Sequence, residues 1–341
     1  MTVREIAALA NVSIGTIDRV IYRRGRVAAN TKARIEAILE KYQFTPNPIA
    51  RRLKRNRPYR FCALLPRRDQ DAGYWGQALE GIQDGAEEIA PLGVKTEIIE
   101  YDRYNPDSLD KAAGSLLAEK PDGILLSPII PGRIRILIAD IRAAAIPCVF
   151  FDSDLPGIEP LCAIGQDSFR GGYLAGRLMH LLAGTITNPV AILDAHGEDY
   201  HITRRRDGFL RYAGEQGIST VVWEYSGYRG AEITVDEIAL FLEDHHLLNG
   251  MFITNCMAHQ VAEAAKTQKR NHPFFLVGYD LIPKNRELLR TGEIGAIISQ
   301  HPEKQGREAL VNLYRHVVLE RPILPKIDIP LEVYIKENIP D

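Results

Sequence analysis

Cysteine is scarce in this chain: four are spread over 341 residues, and Cys62, Cys148, Cys162 and Cys256 each stand alone inside or beside an apolar stretch. No two have the short spacing of a zinc site, and nothing in their placement describes a disulfide framework, so buried thiols in a reducing compartment are expected. Long apolar runs are also missing. None approaches the roughly 20 residues needed to cross a bilayer, so no membrane partner is expected. A polar, helically periodic segment starts at Thr2, where a signal peptide would need an apolar core, and this predicts a cytoplasmic protein. Catalytic signatures are absent too. There is no G-x-S-x-G elbow, P-loop, Rossmann glycine fingerprint or H-E-x-x-H, and the pairs His245-His246 and His196/His201 lack the spacing of metal ligands. No enzymatic activity, no cofactor and no metal site are expected.

What is present is ordinary globular material, 45% hydrophobic and 25% charged, enough for two or three packed cores. The formal net charge of −2 conceals an asymmetry. Residues 1–60 hold 14 Lys/Arg against 4 Asp/Glu, whereas the remainder holds 28 against 40. A short basic arm on an acidic body is the electrostatic footprint of a nucleic-acid-binding module attached to a separate domain. A solvated charged face is the alternative that charge alone leaves open.

The arm reads as three short helices. In residues 2–10, Val3, Ile6, Ala7 and Ala10 fall at helical spacing, with Thr2 as cap and Glu5 three residues on. Asn11-Val12-Ser13 breaks the pattern, and Ser13 can cap a second helix over about 14–21 whose inward residues are Ile17, Val20 and Ile21. A third helix begins near Asn30 or Thr31 and runs to Tyr42, with Ala33, Ile35, Ile38 and Leu39 on its apolar side. A tight turn between the first two makes this a helix-turn-helix rather than a generic three-helix bundle. The crowd of Arg19, Arg23, Arg24 and Arg26 favours the former, because like charges so close repel unless a polyanion answers them.

These residues resemble the LacI/GalR family. The stretch TVREIAALANVSIGTIDRVI, then GRVAANTKARIEAILEKYQFTPNPIARRLKR, follows that family's headpiece and hinge almost residue by residue. The resemblance implies that Ile14, Gly15 and Arg19 face base edges. Arg19 would pair bidentately with guanine, a contact worth about 1–3 kcal/mol of discrimination. Gly15 has no side chain with which to read a base, and Asp18 stands where the family more often has a small polar residue, so the operator sequence departs from any simple family expectation. Thr16, Arg26 and Thr31 are placed for phosphates, which position a protein without reading sequence. The resemblance also implies a hinge over residues 46–58. There Asn47 and Pro48 open a short helix that forms only on DNA, Leu53 wedges into the minor groove and Ala50 lies one turn before it. Without DNA the same segment reads as a disordered linker.

Beyond Arg60, short apolar runs alternate with amphipathic stretches. The strands are expected at 61–66, 95–102, 123–128, 148–154, 161–167, 189–195, 220–225, 250–255, 274–280 and 296–300. Such alternation means parallel sheets covered on both faces, and about 280 residues suit two lobes. The expected fold is therefore α/β: an all-α headpiece (1–45), the hinge, and a core (59–341) of two doubly wound lobes. The resemblance makes that core periplasmic-binding-protein-like. The first lobe is expected to hold about 60–164 and 301–324, and the second about 165–300 and 325–341.

Ligands of parallel sheets bind beyond the carboxyl ends of the strands. Asp152 closes one strand and can accept from hydroxyl groups. By resemblance, Tyr74 and Trp75 are a ring-stacking pair, Arg205 belongs to an R-x-x-G-F element that grips ring oxygens or carboxylates, and Asn255, Asp280 and Gln300 fall on matched strand ends. Such a set suits a polyhydroxylated ligand, so a carbohydrate effector is expected. Asp152 and Asp280 could instead cap following helices, and Trp75 could be plain core. Asp167 is expected to cap its helix, Arg204 and Arg206 to face solvent or the rim, and His196, Tyr200 and His201 are open candidates. The expected protein is a homodimer on pseudopalindromic double-stranded operator DNA. Its rival is a solute-binding protein of a sugar transport system.

Overall fold

The computed structural model describes residues 1–21, 25–42, 44, 57–225 and 233–340. The chain forms two compact units, Met1–Pro58 and Tyr59–Asp341. Arg23, Arg24, Asn47, Pro48, Ala50 and Leu53 lie outside the described residues.

The first unit contains α1 (Val3–Leu9), α2 (Ile14–Ile21) and α3 (Ala29–Lys41). Thr2 and Glu5 close a reciprocal capping box on α1: the Thr2 amide donates to Glu5 Oε2 at 2.7 Å and the Glu5 amide to Thr2 Oγ1 at 3.3 Å. Asn11 turns the chain at φ 47°, and Ser13 Oγ accepts from the Thr16 amide at 3.2 Å, capping α2. Ile6, Ala7, Ala10, Ile17, Val20 and Ile35 make the small core, with Ile21, Ile38 and Leu39 packed against it. Two details differ from expectation. Ala33 is exposed, because two residues before Ile35 is about 200° around a helix. Helix α3 also starts one residue early, after Ala28, which makes no side-chain cap bond, so no polar residue marked its start.

The second unit has two sheets. The first combines β1 (Tyr59–Pro66), β2 (Val94–Tyr101), β3 (Gly123–Leu126), β4 (Cys148–Phe151), β5 (Cys162–Gly165) and β11 (Lys326–Asp328), in the order β11-β5-β4-β3-β1-β2 and all parallel. The second combines β6 (Val190–Ala195), β7 (Thr220–Tyr225), β8 (Gly250–Ile253), β9 (Phe275–Tyr279), β10 (Ala296–Ser299) and β12 (Glu332–Tyr334), in the order β12-β10-β9-β8-β6-β7. Only β12 runs antiparallel there. Strands β3, β4, β6, β8 and β10 are buried at every residue, as strands covered on both faces must be.

Helices α4 (Tyr74–Ile89), α5 (Pro106–Ala118), α6 (Pro131–Ala143) and α12 (Pro302–Val317) accompany the first sheet. With the second run α7 (Ser168–Ala183), α8 (Tyr200–Gln216), α9 (Val235–Asp244), α10 (Ala258–Thr267) and α11 (Pro283–Thr291). Strand β11 pairs with β5, so the tail does not go wholly to the second lobe as expected. The chain crosses between lobes a third time, between Asp328 and Glu332. Gln166 ties the three crossings together, its amide Nε2 donating to Ser299 O and to Pro330 O, both at 2.7 Å.

Each lobe presses one helix pair together backbone to backbone. A methyl group at Gly172 on α7 would lie 1.8 Å from the Arg205 carbonyl oxygen on α8, and one at Gly208 would lie 2.0 Å from Phe169 O. The first lobe repeats the device between α4 and α12, where a methyl at Gly81 would lie 1.7 Å from Glu303 O. Among the described residues, no helix is long and apolar enough to cross a membrane. The four cysteines are all buried and none is in a disulfide.

Candidate functional site

On helix α2 of the first unit, at 100° per residue, Ile17, Val20 and Ile21 share one arc and turn to the core, Gly15 and Arg19 lie opposite it, and Ile14 and Asp18 fall on the flank between. Ile14 is 41% exposed, an uncommon placement for an isoleucine, and Gly15 and Arg19 are exposed beside it. Thr16 is half-buried with its hydroxyl 3.0 Å from Ser13 Oγ, Thr31 is half-buried in the first turn of α3, and Arg26 is exposed just before that helix. This leaves a solvent-facing surface of one apolar side chain, a bare backbone patch and a guanidinium.

In the second unit the strand ends converge. Tyr74, Trp75, Asp152, Arg205, Asn255, Asp280 and Gln300 all line a single cavity between the two lobes. Tyr74 and Trp75 open α4, which follows β1, and their rings meet edge to face at 5.0 Å. Both are buried, and both polar atoms are engaged: Tyr74 OH donates to Asp152 Oδ1 at 2.5 Å, and Trp75 Nε1 donates to Asp71 Oδ2 at 2.6 Å. Asp152 follows β4 and also accepts from Ser127 Oγ at 2.9 Å. Arg205 on α8 donates to Thr254 O and to Gln300 Oε1, each at 2.8 Å, and its guanidinium lies 3.7 Å from the centre of the Tyr279 ring. Gln300 Nε2 in turn donates to Asp280 Oδ2 at 3.2 Å. Two buried atoms in this cluster, Asp280 Oδ1 and Arg205 Nε, find no partner among the described residues.

A second set of groups lines the same cavity: Asp71, Arg103, Asp199, His196, His201 and Cys256. Arg103, beyond β2, bridges Asp71 of its own lobe and Asp199 of the other, the latter at 2.9 Å. Asp199 also accepts from the Ile130 amide at 2.9 Å, and Asp71 Oδ1 accepts from Tyr104 OH at 2.6 Å. His201 Nδ1 sits 2.9 Å from Ser153 Oγ, and Cys256 Sγ donates to Asp71 O at 3.1 Å. Four separate contacts thus join lobe to lobe across the cavity.

Burial governs the acidities. Asp280 is pushed up to about 7 by burial, which the charge of Arg205 only partly offsets and that of Asp152 reinforces. Burial likewise raises Asp152, and raises Asp199 to about 6 against the pull of Arg103. Asp71 goes the other way. Burial alone would raise it, but Arg103, His196 and the Tyr104 and Trp75 donors hold it below the usual carboxylate range. Burial, with Arg103, drops His196 to about 3, and burial with Arg205 drops His201 well below its ordinary value. Both imidazoles are therefore neutral near pH 7, each able to donate once and accept once.

Backbone strain gathers in the same place. Of the eleven non-glycine residues with left-handed φ among the described residues, seven (Asp71, Ala72, Ile130, Asp152, His196, Asp280 and His301) follow the ends of β1, β3, β4, β6, β9 and β10. Such conformations cost about 1–3 kcal/mol each and persist where the surroundings over-determine them.

The open alternatives resolve as follows. Asp167 caps α7, accepting from the Arg170 amide at 3.0 Å. Asp152 and Asp280 cap no helix. Trp75 is both core and cavity wall. Arg204 lies over the Phe169 ring and meets Asp207 at 3.4 Å, but Arg206 does not simply face solvent, since it pairs with fully buried Asp194 at 2.7 Å. His196 and His201 line the cavity and Tyr200 lines a neighbouring hollow. Sequence reading missed Asp71, Arg103, Asp199 and Cys256. The strand-end rule that found Asp152 reaches Arg103 as well, just past β2; nothing local distinguished the other three.

Residues 2–47 match the model of the bacterial regulatory proteins, lacI family, and residues 62–320 match the periplasmic binding protein domain. The HTH-type transcriptional regulator DegA of Bacillus subtilis (strain 168) is 28% identical over 218 residues, 64% of this chain and 62% of its own length, so that match spans less than two thirds of the relative. The HTH-type transcriptional repressor PurR of Yersinia pestis bv. Antiqua (strain Antiqua) is 25% identical over 350 positions, covering 100% of this chain and 97% of its own. Among solved structures, GanP, a glucose-galactose binding protein from Geobacillus stearothermophilus, superposes with a TM-score of 0.73 at 25% identity, covering 84% of this chain and 100% of that one. The chain belongs to the lacI family of bacterial regulatory proteins, a transcriptional rather than enzymatic family, with that family's helix-turn-helix at its amino end and a periplasmic binding protein domain as its body.

Proposed function

We propose that this regulator is a cytoplasmic, homodimeric repressor of transcription whose hold on a pseudopalindromic operator is set by a carbohydrate-like effector bound between the lobes of the body. Ile14, Gly15 and Arg19 read bases, and Thr16, Arg26 and Thr31 anchor phosphates. Ala50 and Leu53 act from the hinge in the minor groove. Two headpieces on two half-sites supply affinity that one alone lacks. Tyr74, Trp75, Asp152, Arg205, Asn255, Asp280 and Gln300 hold the effector. The observation that carries this reading is the meeting of those seven side chains in one cavity of a lacI-family chain. The relative named a repressor and the neighbour named a glucose-galactose binding protein point the same way. Effector binding changes how the lobes close, and coupling of about 1–3 kcal/mol to the hinge is enough to shift operator occupancy 5–150-fold.

A transport solute-binding protein shares the cleft chemistry but has no use for a lacI-type headpiece. The separating experiment compares the full chain with residues 59–341 in gel-shift and thermal-shift assays. Retained sugar binding with loss of salt-sensitive inverted-repeat binding in the shorter protein supports the regulator. Failure of the full chain to prefer any inverted repeat, with or without sugars, overturns it.

A further inference from the structure

The cavity wall is unusually rich in acid. Four carboxylates line it (Asp71, Asp152, Asp199 and Asp280) against two guanidiniums, Arg103 and Arg205, and the two histidines beside them are neutral near pH 7. Both cationic groups that could answer an incoming anion are also largely committed. Arg103 is bracketed by Asp71 and Asp199, while Arg205 spends both terminal nitrogens on Thr254 O and Gln300 Oε1 and its face on Tyr279. What the wall still offers is an acceptor, Asp280 Oδ1, and a donor, Arg205 Nε, both buried and without partners among the described residues.

We propose that the effector is a polyhydroxylated molecule that carries no phosphate and no carboxylate, because the lining carboxylates outnumber the cations and the remaining acceptor calls for a hydroxyl or amine hydrogen. This rests on the carbohydrate reading above and narrows it. A sugar phosphate or sugar acid would bury one or two further negative charges beside carboxylates that burial already raises. One hydroxyl of a neutral sugar donates to Asp280 Oδ1 while an oxygen accepts from Arg205 Nε, satisfying both orphaned groups with no added charge.

The experiment is isothermal titration of the full-length protein with a matched panel: aldohexoses and aldopentoses, their amino forms, their terminal phosphates and their aldonic acids. The expected result is binding of a neutral or amino member on the order of 100-fold tighter than its phosphate and acid counterparts. A phosphate or acid that binds as tightly as its parent sugar overturns the inference and leaves the carbohydrate reading standing. No binding by any member overturns the carbohydrate reading, and this inference with it. At pH 8, above the Asp280 transition, Asp280→Asn, nearly isosteric and one charge lighter, is expected to narrow the discrimination against the acid by about tenfold. Asp152→Asn serves if the first variant does not fold. Unchanged discrimination in the folded variant assigns the exclusion to shape and overturns the charge argument.

Discussion

The headpiece and the body put functional side chains in opposite physical circumstances. In the headpiece, Ile14, Gly15 and Arg19 stand exposed on α2, whose buried Ile17 and Val20 join the small core, so on the proposed reading folding and recognition fall to different side chains of one helix. In the body, Asp152, Arg205, Asp280 and Gln300 are buried, hydrogen-bonded and partly held by left-handed backbone, so the groups that would meet a ligand also hold the lobes. Substitutions in the first setting are expected to cost recognition without stability. In the second they cost both.

Four measurements test that contrast. Gly172→Ala places a methyl against the Arg205 carbonyl, where no rotamer can yield, and is expected to destabilise the body by about 4 kcal/mol in denaturant unfolding and to abolish effector binding. A wild-type midpoint would show that α7 and α8 separate freely. Asp199→Ala takes one partner from buried Arg103 and the acceptor from the Ile130 amide, for a loss of about 3 kcal/mol by the same assay. The third is pH-dependent. The Asp280 carboxyl titrates near 7 when folded and near 4 when unfolded, so between those values the folded state holds the extra proton. Wild-type stability relative to Asp280→Asn should therefore fall as pH rises from about 4 to 7, by roughly 1 kcal/mol per pH unit, and level off above. A flat difference would place the group's acidity at its ordinary value. Last, Arg19→Ala should leave the melting curve within about 0.5 kcal/mol of wild type, yet weaken specific operator binding by about 1–3 kcal/mol and non-specific binding far less. Equal losses on both DNAs would remove its base-reading role.

Most of the architecture was legible: all ten long strands appear where they were expected, the central ones because burial on both faces writes itself as unbroken apolar runs. Strands β11 and β12 were not legible: each has three residues, largely exposed, and borrows its conformation from a neighbour. The seven cleft residues could be named because parallel sheets deliver strand ends to one edge and the family pattern chose among them. Asp71 and Asp199 escaped for a different reason. Their roles exist only through Arg103, which is 32 positions from one and 96 from the other, and a pairing at that range leaves no local pattern. Ala33 was misplaced by counting apolar residues rather than angles.

The amide of Gln166 gives the body a common pivot. Because one side chain grips the backbone at Ser299 and at Pro330 from its own place after β5, no connecting strand can bend alone without giving up a buried bond. Bending one strap alone therefore costs about 1 kcal/mol for each bond lost, whereas a rotation in which all three straps turn in step keeps both.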